Sequence, residues 1–182
     1  MSFINFNPKK IAALTSVLLF FSFAAYAQLS EEDAIEQGMK YMSRAMYDQA
    51  IEAFTKAIDI NPLNAISFYN RGLAYHNKGD IQEAISEYTK AIDRDSNNTE
   101  FYYNRGIAYY YDNDLDRAIA DWNRVVELNP EQAEAYNKRA YAYYLKVDYD
   151  KAWRDVHKVE ELGYTVDRGF LQDLRALSKR DD

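Results

Sequence analysis

The stretch YNRGLAY at residues 69–75 returns as YNRGIAY at 103–109, a displacement of 34 positions. The recurrence runs through most of the chain. Units starting at 31, 65, 99 and 133 have equal length, with no insertion or deletion. The eighth place of successive units holds Gly38, Gly72, Gly106 and Ala140, and the eleventh Tyr41, Tyr75, Tyr109 and Tyr143. The twentieth holds Ala50, Ala84, Ala118 and Ala152, and the twenty-fourth Phe54, Tyr88, Trp122 and Val156. The twenty-seventh holds Ala57, Ala91, Val125 and Val159. A fixed period of this size marks an array of supersecondary units that must stack on one another to bury a core.

Within each unit, apolar residues recur at helical spacing in two runs broken by a short polar turn, as in HNKGD (76–80) and YDND (111–114). Asp80, Asp114 and Asp148 stand just before the second runs, where a carboxylate can accept from free backbone N–H groups. Asp80 with Glu83 has the form of a capping box, and Ser30 with Asp33 a weaker version that opens the first helix. Small residues at the eighth and twentieth places let two antiparallel helices approach, and the large side chain at the twenty-fourth fills the space beside them. In the continued frame, Phe170, Leu174 and Leu177 fall at the fourth, eighth and eleventh places of a fifth unit. The tail is therefore expected to be a single covering helix.

This pattern resembles the tetratricopeptide repeat family over residues 31 to about 166. It departs where Ser96 and Tyr164 replace the proline seen at Pro62 and Pro130, and where Ala34 replaces a large residue at the fourth place. The resemblance implies an all-α, right-handed superhelical solenoid of antiparallel helix pairs. Its repeats would be 31–64, 65–98, 99–132 and 133–166, with a C-terminal capping helix over 167–178.

The arginine of the recurring motif, Arg71, Arg105 or Arg139, occupies the seventh place of units two to four, and unit one has Gln37 instead. Twelve residues before each arginine lies an acid of the preceding unit: Asp59, Asp93 or Glu127. Ion pairs between units are the expectation, with the alkyl stems packed on the neighbouring helix.

Residues 1–27 differ from the rest. Lys9 and Lys10 precede an uncharged apolar run that ends in Ala25-Tyr26-Ala27. A basic start, an apolar middle and a small-x-small exit form a secretory signal peptide. Uncut, the same segment would be an N-terminal membrane anchor. Export to the periplasm or medium is the expectation, with anchoring to the inner membrane as the alternative. Cleavage takes away two of the 22 basic residues and none of the 29 acidic ones, moving the formal net charge from −7 to −9. Such a surface repels nucleic acid phosphates and anionic head groups, so neither nucleic acid nor an inserted membrane is an expected partner of the remaining chain.

Nothing in the chain points to an enzyme or a cofactor. There is no cysteine, and the two histidines, His76 and His157, lie in different units without a second ligand at zinc spacing. No glycine-rich phosphate loop and no G-x-S-x-G turn occurs. Asp112, Asp114 and Asp116 imitate a calcium loop, but Arg117 stands where that loop turns on glycine and Asn123 where it ends in glutamate.

In tetratricopeptide repeats the first helices line the concave wall that takes the ligand. By that resemblance the wall here comprises Tyr69, Asn70, Leu73, His76, Tyr103, Asn104, Ile107, Tyr110, Tyr141 and Tyr144. Tyrosine offers large contact area with little entropy to lose, and the asparagine amides can pair with a peptide backbone. These features suit an extended or helical segment of another protein, making the chain an adaptor, scaffold or envelope assembly factor. The carboxylate-gripping mode of chaperone adaptors lacks most of its cations, and Glu100 or Glu134 intrudes. Self-association into a structural homo-oligomer through a patch of apolar surface is the alternative function, and packing of the rings between units is the competing reading of the wall itself.

Overall fold

The computed structural model describes residues 30–179; the expected signal peptide lies outside the described residues. Among them are nine helices and no strand: α1 (Glu31–Met42), α2 (Tyr47–Ile60), α3 (Ala65–Lys78), α4 (Ile81–Arg94), α5 (Thr99–Tyr111), α6 (Leu115–Leu128), α7 (Ala133–Leu145), α8 (Tyr149–Glu161) and α9 (Arg168–Ser178). Each helix packs on the one before and the one after it, α9 most lightly. This is an all-α solenoid closed by a single C-terminal helix. No helix of the described residues is long and apolar enough to cross a membrane.

Polar residues set the helix entrances. Ser30 and Asp33 form the full capping box, each side chain satisfying the other's backbone N–H. Asp114 and Asp148 accept from the N–H groups of Arg117 and Lys151 at the starts of α6 and α8. Asp80 departs from expectation. It makes no side-chain cap, because its carboxylate turns to Lys78 at 3.0 Å.

The notch at the eighth place is tight. A Cβ on Gly72 would lie 2.7 Å from Tyr88 Cε1, and one on Gly106 would lie 2.7 Å from Trp122 Nε1. Gly38 faces Phe54 more closely still. Unit four carries Ala140 there, and its facing residue is the smaller Val156. Notch and filler thus scale together. All four fillers and the alanines at the twentieth place are buried.

The arginine partners differ from expectation. Arg71 directs Nε and Nη2 to Glu87 Oε2 at 2.9 and 2.7 Å, and Nη1 to Thr55 Oγ1 at 3.0 Å. Arg105 repeats this with Asp121 (2.8 and 2.7 Å) and Thr89 (3.0 Å). Arg139 uses Asp155 (2.8 and 2.6 Å) and Asn123 (2.7 Å). The ion pair is therefore inside each unit, sixteen residues after the arginine. The bond to the preceding unit is to a neutral oxygen. Asp59, Asp93 and Glu127, the expected partners, are exposed, so they keep their hydration. Glu87, Asp121 and Asp155 lie on the buried stripe, where an unpaired carboxylate would be costly. Unit one has Gln37 and Ala53 at the two places concerned, so cation and carboxylate are missing together.

At the C-terminal end, Phe170 and Leu174 are buried against the last pair, and Trp153 Nε1 donates to Ser178 Oγ at 3.0 Å. Leu177 does not complete the covering face as expected: it is 54% exposed. The indole meets Ser178 instead, which turns the last leucine outward.

Candidate functional site

The fifth place of the first helices decides where this surface opens. It holds Tyr69 on α3 and Tyr103 on α5, but Asn137 on α7. At the junction of α5 with α7 the smaller side chain leaves room. A cavity of about 300 Å³ lies there, lined by Ile107, Tyr110, Tyr111, Trp122, Asn137, Lys138 and Tyr141. Trp122 reaches it from α6, past the notch at Gly106. Its indole Nε1 donates to the Tyr103 carbonyl at 3.3 Å, which holds the ring in place. Tyr110 lies 6.2 Å from Trp122 and 6.1 Å from Tyr111 between ring centroids. Asn137 Oδ1 is buried and has no hydrogen-bond partner. A buried acceptor without a donor is unstable by itself and marks a place for an incoming N–H or O–H.

The cavity gathers Ile107, Tyr110 and Tyr141 from the residues expected on the wall. Tyr69 is turned inward, with its ring 5.0 Å from Phe101 and 5.9 Å from Tyr88. Its hydroxyl accepts from Asn104 Nδ2 at 3.0 Å. Asn104 also donates to the Glu100 carbonyl at 2.9 Å, so both of its amide N–H groups serve the fold. Asn70 is 7% exposed, which removes its amide from the open wall. An asparagine pair free to read a guest backbone is thus not what these two residues form. Leu73 and Tyr103 are partly buried against the core. Tyr144 and Tyr141 pack on Phe170 of α9, with Tyr141 stacked at 3.9 Å, so the capping helix shapes this end of the wall.

Asn137, Lys138, Tyr111 and Trp122 were not among the expected contacts. The break in the series tyrosine, tyrosine, asparagine at the fifth place is the signal that could have revealed them. The acids of the false calcium loop serve elsewhere. Asp112 accepts from Gln82, Asp114 caps α6, and Asp116 pairs with Lys146. No group of three or more potential metal ligands lies together among the described residues.

Burial controls the titration of the wall. It pushes the Tyr69 hydroxyl up to about 12, aided by the negative charge of Glu100. Tyr103 rises for the same reasons, with Glu134 as the neighbouring charge. Burial lowers the pKa of His76 from its ordinary 6.5, and its Nδ1 has no partner. An imidazole protonated more readily in the unfolded chain contributes stability that is whole above about pH 6.5 and lost as pH falls below it. Unfolding by urea at about pH 7.5 and 5.5 should show a larger loss in the wild type than in His76→Phe. Equal losses would mean that His76 protonates without penalty.

A family model described as TPR repeat matches residues 38–79, 74–112 and 108–147. No curated protein matches the chain by sequence. Among solved structures, a crystal structure of MamA superposes with a TM-score of 0.73 at 24% identity, covering 79% of this chain and 84% of that one. The first TPR domain of Spaghetti (RPAP3), bound to the HSP90 peptide SRMEEVD, gives 0.63 at 30% identity, covering 65% and 94%. A tetratricopeptide repeat protein from Parabacteroides merdae gives 0.75 at 27%, covering 84% and 61%.

Proposed function

The chain belongs to the tetratricopeptide repeat family, and from that premise we propose that it is an exported adaptor that holds a segment of another protein along its first-helix wall. The observation that carries this reading is the cavity between α5 and α7, where Ile107, Tyr110, Trp122 and Tyr141 surround the unpartnered Asn137 Oδ1. Aromatic walls around one directional polar group give an anchor pocket for a side chain of a longer guest. A peptide complex of a related domain, that of RPAP3, supports the class of ligand. The basic, apolar and small-residue pattern of residues 1–27 supports export.

Affinity capture from envelope extract, with partners identified by mass spectrometry, tests the reading. Tyr110→Ala with Asn137→Ala should weaken capture of the same partner about tenfold or more, since truncating anchor contacts commonly costs over 1 kcal/mol each. Helical circular dichroism should stay unchanged. Capture that survives the double substitution would remove this wall as the docking surface.

Self-association has one observation of its own. Ile60, Leu63 and Ile66 are exposed together at the corner between α2 and α3, Leu63 by 80%. Light scattering decides this reading, because a monomer at micromolar concentration leaves it without support.

A further inference from the structure

The cavity between α5 and α7 has the size and the polar groups to select one kind of side chain. Its volume is about 300 Å³. A void of about 150 Å³ in a protein interior already holds benzene, so this one takes a substituted ring, and a small aliphatic side chain would leave much of it empty. Tyr110 and Tyr111 meet at 85°, and Trp122 is tilted by 46° against Tyr110. These planes make adjoining sides of a box rather than one flat stack. Tyr111 is 68% exposed, which keeps one side of the box within reach of solvent.

Polar groups decide which ring. Aromatic walls attract a cation where a carboxylate stands by. No carboxylate lines this cavity, and Lys138 does, so an entering ammonium would meet its own charge. A bare phenyl ring would leave the buried Asn137 Oδ1 without a donor, at the cost of an unsatisfied polar group. An indole only donates. A phenol hydroxyl donates and accepts, so it answers the amide oxygen or, with the amide turned over, its N–H groups.

One junction earlier the chain makes such a contact with itself. The Tyr69 ring lies 5.9 Å from Tyr88, the filler of unit two, and its hydroxyl accepts from the Asn104 amide across α3–α5 at 3.0 Å. Between α5 and α7 the filler is Trp122 and the amide is that of Asn137, with no phenol bonded to it. The two asparagines stand at different places, the sixth and the fifth, so the parts match although the register does not.

Resting on the adaptor reading above, we propose that the guest segment inserts a tyrosine side chain into this cavity, its ring against Trp122 and Tyr110 and its hydroxyl on the Asn137 amide. The pocket thereby reads one residue of the partner, by ring and by hydroxyl.

Three peptides test this with the full chain: SGTYTGS, SGTFTGS and SGTKTGS. Binding is followed by the nuclear magnetic resonance signal of the Trp122 indole N–H, a group inside the site. The tyrosine peptide should move that signal and bind about tenfold or more tighter than the phenylalanine peptide, which differs by one oxygen. The lysine peptide should be the weakest. In Asn137→Leu the tyrosine and phenylalanine peptides should bind alike, with circular dichroism as the control for folding. Equal binding of the two in the wild type, a preference that survives Asn137→Leu, or no binding of any peptide would overturn the tyrosine guest. Free p-cresol that binds as tightly as the tyrosine peptide would overturn it in favour of a small phenol. A phenylalanine or lysine peptide that binds tightest and is lost in Tyr110→Ala would overturn the tyrosine guest and leave the wall as the docking surface. Tyrosine-peptide binding that leaves the Trp122 signal in place and is indifferent to Tyr110→Ala would overturn the wall itself.

Discussion

Arg105→Met should destabilise the chain by about 3–5 kcal/mol, and adding Asp121→Leu should restore most of the loss. The reason is the partner left behind. Asp121 is 5% exposed and takes two of the guanidinium's hydrogen bonds, at 2.8 and 2.7 Å. With the cation removed, that carboxylate stays ionised in a poor solvent or takes up a proton, and either outcome costs free energy. The bond to Thr89 Oγ1 is lost as well, but its hydroxyl still donates to the Ile85 carbonyl at 2.8 Å, so little is left unsatisfied on that side. Methionine keeps an unbranched stem against the rings of Tyr102 and Tyr109, each 5.7 Å from the guanidinium carbon. Packing therefore changes less than charge does. Denaturant titrations of the two single variants and the double variant measure the coupling. A double variant as weak as Arg105→Met alone would show that the arginine acts by packing or by its threonine bond rather than by neutralising Asp121.

The same ladder shows which part of the fold the residues announce and which part they hide. Equal units, paired notches and fillers, and the Ser30–Asp33 cap all depend on neighbours fixed by helical spacing, so they could be read in advance. An arginine side chain is long enough to reach in several directions. Arg71 has acids both twelve residues behind, at Asp59, and sixteen ahead, at Glu87. The choice turns on burial, because Asp59 stays in water while Glu87 lies on the packed stripe of α4. Burial of a polar residue is a property of the assembled units and cannot be read from one of them.

The candidate site follows the same division. Repeat places identified Ile107, Tyr110 and Tyr141, which meet at one cavity. The same rule carried Asn70 and Tyr69 too far, since a ring at the fifth place can pack against the next unit, as Tyr69 does, tilted by 37° against Phe101. Space on this wall appears where a large residue is missing. Asn137 marks it by breaking the tyrosine series, a signal of subtraction that a search for contact residues passes over.

Gly106→Ala is a substitution that ordinary helix propensity favours by about 1 kcal/mol. Here it should instead destabilise by about 1–3 kcal/mol, and Gly106→Leu by more. The added Cβ would lie 2.7 Å from Trp122 Nε1 and 3.0 Å from Cε2, distances that require something to move. The indole has little freedom to do so. It is 1% exposed, bonded to the Tyr103 carbonyl and packed near Tyr110. Unit four contains the compensated form, Ala140 facing Val156. Transplanting it gives the decisive comparison: in a Trp122→Val background the same Gly106→Ala change should become neutral or stabilising, by up to about 1 kcal/mol. Trp122→Val carries its own cavity cost, so the informative quantity is the difference between the two glycine substitutions, taken from denaturant midpoints. If Gly106→Ala costs the same in both backgrounds, the glycine is required by something other than the ring that faces it.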